Sequence, residues 1–188
     1  MEMIKTLERK TILDKGKFLI VEDHKVVFPD GLVIEGWPWI ITPDFVNIIA
    51  VNPAGNIVIF NQAKYGLDEP SLAAIGGYIE PGEEPGEAAR RELLEETGFA
   101  ADEWHELGHY QVDGNRGAGV AHLFLALGVH KITEVNCDDN EPMELVELTP
   151  GEFKHAILGD FKNPKFKVLP WAAAASLGLL YLDEISRL

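Results

Sequence analysis

Glu83, Glu92, Glu95 and Glu96 stand close together in one short stretch of the chain, residues 77–99, which reads GYIEPGEEPGEAARRELLEETGF. Carboxylates at that density repel one another, and a divalent cation removes the repulsion. On a helix, Glu92 and Glu96 are four apart and share a face, while Glu95 falls toward its edge. Arg91 and Glu95 are also four apart, so a pair between them would orient the cluster. Oxygen donors without a nearby cysteine favour Mg²⁺ or Mn²⁺ over zinc. Mg²⁺ keeps several waters and shares its shell with phosphates, so the implied chemistry is attack of water on a phosphate ester or anhydride.

The surrounding residues supply a helix to hold these groups. Pro81-Gly82 makes a turn, and Pro85 suits the first helical turn, where its missing N–H costs nothing. Ala88 to Leu94 are strong helix formers, and Ala89 and Leu93 repeat at the spacing of a core-facing stripe. Gly98 provides the left-handed residue that ends the helix.

The same stretch resembles the Nudix motif at every place. The motif runs glycine, five residues, glutamate, seven residues, Arg-Glu, an aliphatic, any residue, Glu-Glu, any residue, glycine and a hydrophobic. Gly77, Glu83, Arg91, Glu92, Leu93, Glu95, Glu96, Gly98 and Phe99 fill it. The resemblance implies a Nudix hydrolase, acting on a nucleoside diphosphate linked to a group X. It implies that Glu92 and Glu96 bind Mg²⁺ (or Mn²⁺), with the backbone carbonyl of Gly76 as a further ligand and Glu83 in support. Glu95 and Arg91 are expected to serve the chemical step beside them.

Composition narrows the partners. Sixteen Lys and Arg against 31 Asp and Glu give a net charge of −15. Such a chain is poorly suited to a nucleic-acid polymer, whose phosphates demand basic surface. A small anionic substrate remains compatible, since a bound metal inverts the local field. The single cysteine, Cys137, allows no internal disulfide and fits a cytoplasmic protein. No apolar leader is visible at the N-terminus, and the longest apolar run, near Val168 to Leu182, is interrupted by Pro170 and Gly178, so no membrane partner is expected.

Along the chain, short strands are expected within residues 11–41: Phe18 to Val21 and Val26 to Phe28, joined by polar Glu22 to Lys25, then Leu32 to Ile34 and Trp37 to Ile41. A hairpin follows, with Phe45 to Val51 and Ile57 to Phe60 around Asn52 to Asn56. Beyond the motif helix, Glu103 to Val112 and Ala121 to Val129 read as strands around a glycine-rich loop, and Leu145 to Leu148 as another. Thr149-Pro150-Gly151-Glu152 is a capping box opening a helix to about Leu158, and Pro170 to about Arg187 reads as a last helix. Strands mixed with helices give an α/β class. The family resemblance sharpens this to an α/β/α sandwich around a mixed sheet. Residues 1–42 form an N-terminal β extension and residues 43–188 the hydrolase domain.

That extension resembles the one in the ADP-ribose and nucleotide-sugar pyrophosphatase branch, where it helps build a dimer. A homodimer and a nucleotide-sugar substrate are therefore expected. Trp37 and Trp39 are candidates to stack on the base, Gln62 and Lys64 match the branch's Gln-Tyr-Arg segment, and Arg116 can grip a phosphate bidentately. In the acidic loop 139–145, Glu141 matches the glutamate that positions or deprotonates the attacking water, with Glu144 in reserve. Ala73 and Ile75 stand where the branch carries glutamate and proline, and the loop 113–119 lacks its usual proline. These departures weaken ADP-ribose in particular and leave nucleotide sugars more broadly. Rival readings are a Nudix enzyme for another X (a dinucleoside polyphosphate, an oxidised nucleotide or a coenzyme) and a sensor that binds without cleaving. Sensors usually lose motif glutamates, and this chain keeps all of them. His105 and His109 are four apart and could bind a metal on a helix, but the segment reads as strand, which makes them a surface pair; His122 reads as structural.

Overall fold

A computed structural model of the chain describes residues 1–135 and 142–186. In chain order the elements are β1 (Lys5–Asp14), β2 (Ile20–Val27), β3 (Val33–Ile41), β4 (Phe45–Val51), β5 (Ile57–Gln62) and β6 (Ser71–Ala73). Then come α1 (Pro85–Thr97), β7 (Phe99–Ala100), β8 (Glu103–Asp113), β9 (Gly117–Leu127), β10 (His130–Lys131) and β11 (Met143–Leu148), followed by α2 (Pro150–Leu158) and α3 (Leu169–Ile185). They group into two compact units. One holds Met1–Asp44 and Tyr110–Ala121, and the other Phe45–His109 and His122 onward.

In the first unit, β1, β2 and β3 lie side by side and antiparallel, and β3 meets the start of β9 in parallel at Ile40 and Gly117. β2 is continuous through Glu22 to Lys25, where the sequence suggested a polar connector. Glu22 and Lys25 find side-chain partners within the sheet, one on β2 itself and one on β3. The Glu22 carboxylate lies 2.8 Å from His24 Nε2, and Lys25 Nζ lies 2.9 Å from Glu35 Oε1 on β3. β1 extends the strand region toward the N-terminus, to Lys5 rather than residue 11. Its side chains lack the apolar alternation that marks a half-buried strand, and all ten residues are exposed. Backbone pairing with β2 is what holds it.

The second unit is an α/β sandwich in which β9, β4, β5 and β11 lie in that order, with β6 on β5 and β8 on β9. Val46 to Val51 are all buried, as expected for a strand covered on both faces. Both α1 and α3 pack against β4. From α1 come fully buried Ala88, Ala89 and Leu93, and from α3 Trp171, Ala174 and Ala175. Gly178 faces Ile49, where a Cβ would make ordinary contact at 3.4 Å. α2 buries Phe153 edge-to-face against Phe166 at 6.1 Å. Its capping box is formed as expected, Thr149 and Glu152 each bonding the other's backbone N–H. No described helix is long and apolar enough to cross a membrane.

Candidate metal-dependent active site

α1 begins at Pro85 and ends where Gly98 turns left-handed at φ 73°, its N–H returning to the Leu94 carbonyl at 2.8 Å. A side chain at Gly98 would run into the Thr133 carbonyl, so the stop is fixed by packing as well as by φ. Leu93 anchors the helix inward, which turns Arg91, Glu92, Glu95 and Glu96 along its outer sides.

Arg91 gathers the carboxylates. Its Nε and Nη2 donate to the two oxygens of Glu83 at 2.8 and 2.9 Å. Its Nη1 donates to Glu92 Oε1 at 2.8 Å and to Glu95 Oε2 at 3.1 Å, and Nη2 also reaches the Tyr78 carbonyl at 3.1 Å. The predicted Arg91–Glu95 pair is thus one strand of a wider net. Hydrogen bonds from Arg91 hold the Glu83 carboxyl below its ordinary range. The guanidinium is pushed upward chiefly by Glu83, so it stays charged. Glu83 is held from the other side too, its Oε2 accepting from the Glu80 N–H at 3.0 Å.

The two glycines at the start of the motif do different jobs. The segment Ile75 to Gly77 bonds to β4, with Ile48 N–H donating to the Ile75 carbonyl and Val46 N–H to that of Gly77. Between them, the Gly76 N–H donates to Glu96 Oε2 at 2.9 Å. Gly76 has φ 142°, and a Cβ there would lie 2.1 Å from the Val46 carbonyl oxygen. At Gly77 a Cβ would fall 2.6–2.8 Å from the Glu92 carboxylate. Gly77 therefore leaves room for the Glu92 head, and Gly76 lets the chain run tight against β4 while its N–H meets Glu96. The carboxylate oxygens of Glu92, Glu95 and Glu96 are hard donors, which suits Mg²⁺ or Mn²⁺, and Arg91 fixes Glu92 and Glu95 from the side.

The remaining predicted residues fall in several places. Glu141 lies outside the described residues. Glu144 is exposed on β11, opposite Asn61 of β5. Gln62 is buried at the end of β5, paired with Ser71 and Met143, and Lys64 is half-buried in the turn that follows. In the first unit, Trp37 donates its Nε1 to the Asn115 carbonyl at 2.7 Å, and Trp39 stacks on buried His24 with ring centroids 5.5 Å apart. Arg116 sits in the same loop as Asn115 and pairs with Asp113 at 3.2 Å. Trp37 and the loop bearing Arg116 are therefore brought together.

A second group of potential metal ligands escaped the sequence reading. Among the described residues, the ligand atoms of Glu106, His109 and His122 lie within 4.8 Å of one another, a cluster able to hold a divalent cation. His105 is turned elsewhere, 2.9 Å from the Tyr181 hydroxyl. The signal available was Gly108, whose φ of 115° upsets strand alternation beside His109.

Comparison with known proteins bears on both units. The NUDIX domain family matches residues 42–172. The ADP-ribose pyrophosphatase of Bacillus subtilis (strain 168) is 31% identical over 151 residues, 78% of this chain and 81% of its own. The methanol dehydrogenase activator of Bacillus methanolicus is 28% identical, covering 80% of this chain and 83% of its own. An oxidized purine nucleoside triphosphate hydrolase of Mus musculus is 30% identical over 52% of this chain and 58% of its own. A solved structure of an ADP compounds hydrolase superposes with a TM-score of 0.82, covering 100% of this chain and 98% of that one at 20% identity, a likeness of fold.

Proposed function

Because the chain belongs to the Nudix hydrolase family, cleaving a phosphoanhydride bond in a nucleoside diphosphate-X compound, we propose that X is a sugar. The substrates would be ADP-ribose and related ADP or GDP sugars, and the products a nucleoside monophosphate and a sugar phosphate. The observation that carries this is the extent of the likeness. The match to the ADP-ribose pyrophosphatase covers 81% of that protein, whereas the match to the oxidized purine nucleoside triphosphate hydrolase covers 58% of its own.

In this reading Glu92 and Glu96 hold Mg²⁺ or Mn²⁺, with the Gly76 backbone beside them. The bound ion supplies neutralisation of the diphosphate and eases ionisation of water. Arg91 acts as a positioning residue: it keeps Glu92 and Glu95 pointed while Glu83 holds its own fork in place. Glu95, half-exposed at the edge of the cluster, or Glu141 takes the proton from water. The water oxygen bonds to one phosphorus and the bridging oxygen leaves with the other phosphate. Gln62, Lys64 and Arg116 are proposed to meet the phosphates or sugar, and Trp37 and Trp39 the base.

We also propose a homodimer. The support is β1, whose ten residues are exposed and include Leu7, Ile12 and Leu13 on an edge strand, the kind of surface that pairs with another chain. A monomeric mass by light scattering would count against it. A cytoplasmic location is proposed on the single cysteine.

The test of substrate is a panel of ADP-ribose, ADP-glucose, GDP-mannose, UDP-glucose and an oxidised purine nucleoside triphosphate, each with Mg²⁺. Release of nucleoside monophosphate with sugar phosphate supports the reading. Turnover of the triphosphate with none of the sugars would sink it.

A further inference from the structure

Glu106 and His109 lie on β8, and His122 lies on β9. In a regular strand, residues three apart point to opposite faces. Gly108 breaks that alternation with φ 115°, and Glu106 Oε1 lies 3.5 Å from His109 Nδ1. Across the hairpin, the rings of His109 and His122 stack with centroids 5.6 Å apart. All three ligand atoms fall within 4.8 Å of one another. The set differs in kind from that on α1: two imidazoles and one carboxylate against carboxylates alone. Two nitrogen donors and one oxygen select a borderline first-row cation over Mg²⁺, and three protein ligands leave one position of a tetrahedral Zn²⁺ open to water. Glu106 and His109 are exposed and His122 half-buried, so an ion can enter without unfolding the strands.

We propose that Glu106, His109 and His122 form a Zn²⁺-class site, separate from the hydrolytic centre, that staples β8 to β9. An ion held there cross-links the two strands where Glu106, His109 and His122 meet. Because the ligands come from both strands, the ion binds the paired hairpin and not the unpaired one, and so stabilises the folded chain.

The test is Zn²⁺ and Co²⁺ binding to the full chain in excess Mg²⁺, which keeps the all-oxygen site occupied. One equivalent of Co²⁺ should bind with the spectrum of a nitrogen-ligated ion, be displaced by Zn²⁺ and resist Mg²⁺. His109→Asn should weaken Zn²⁺ by roughly 100-fold or more, since losing even an outer-shell partner costs up to that. Glu106→Gln should weaken it in the same direction. Zn²⁺ should raise the melting temperature of the wild type and not that of His109→Asn, while Mg²⁺-dependent turnover of His109→Asn stays unchanged. Equal Zn²⁺ affinity in the wild type and His109→Asn, or displacement of Co²⁺ by Mg²⁺, would overturn the assignment. His109 is exposed, so its variant is expected to fold, and its circular dichroism checks this.

Discussion

The Arg91 guanidinium meets the Glu83 carboxylate as a fork, Nε to Oε1 at 2.8 Å and Nη2 to Oε2 at 2.9 Å. The two residues belong to different pieces of backbone, Glu83 to the turn before α1 and Arg91 to its middle. Their union ties the turn to the helix and leaves Arg91 Nη1 aimed at Glu92 and Glu95. The orientation of the carboxylates named for the metal and for water thus depends on a residue that need not touch either.

Arg91→Lys should expose that dependence. Lysine carries the charge but cannot fork. Losing the bidentate contact should cost about 2 kcal/mol at neutral pH, by denaturant unfolding, on the scale of charged hydrogen bonds. Turnover should fall as well, because Glu92 and Glu95 lose their common anchor.

The same pair predicts an acid dependence. Arg91 holds Glu83 below its ordinary value of 4.5. A carboxyl lowered on folding contributes stability that is complete above its unfolded value and is lost as pH falls through the native one. The stability gap between wild type and Arg91→Lys should therefore be constant above about pH 4.5 and close below it. Unfolding curves across that range check the sign, and a gap that widens in acid would refute the linkage.

Gly76 and Gly77 should respond differently to alanine. At Gly76 a Cβ meets the backbone of β4 and φ is 142°, so Gly76→Ala should lose at least about 3 kcal/mol or fail to fold. At Gly77 it meets only the head of Glu92, which can swing aside. Gly77→Ala should keep stability within about 1 kcal/mol. It should lose roughly 100-fold in turnover, the scale expected when a reacting group is displaced by about 1 Å. Melting curves beside rate measurements on both variants separate the two roles.

Much of this arrangement was legible from the chain. Pro85, Gly98 and the Ala89–Leu93 stripe delimit and orient α1 locally, so sequence suffices. The capping box at Thr149 is likewise a contact among neighbours. What sequence did not convey depends on distant partners. Arg91 to Glu95 is a spacing of four and was expected, but Arg91 to Glu83 depends on how the turn folds back. β2 runs straight through a polar segment, where Glu22 and Lys25 find partners on β2 and β3. His109 and His122 meet only because β8 and β9 pair and Gly108 breaks the alternation.

Thr149→Ala serves as a contrast to the α1 variants. It removes the side chain that accepts from the Glu152 N–H, and should cost about 1 kcal/mol. Turnover should be unchanged at temperatures well below melting. A large loss of rate with the fold intact would draw α2 into the site.

The central claim is that carboxylates on α1 hold the metal that makes water attack a diphosphate. The most direct measurement is the Mg²⁺-dependent turnover of purified Glu96→Gln, against wild type, on whichever nucleotide sugar the panel selects. The amide keeps size and can still accept from the Gly76 N–H, so circular dichroism and melting should stay close to wild type. The rate should be lower by about 100-fold or more, from loss of metal-borne charge stabilisation. Near-wild-type turnover in the folded variant would contradict the claim.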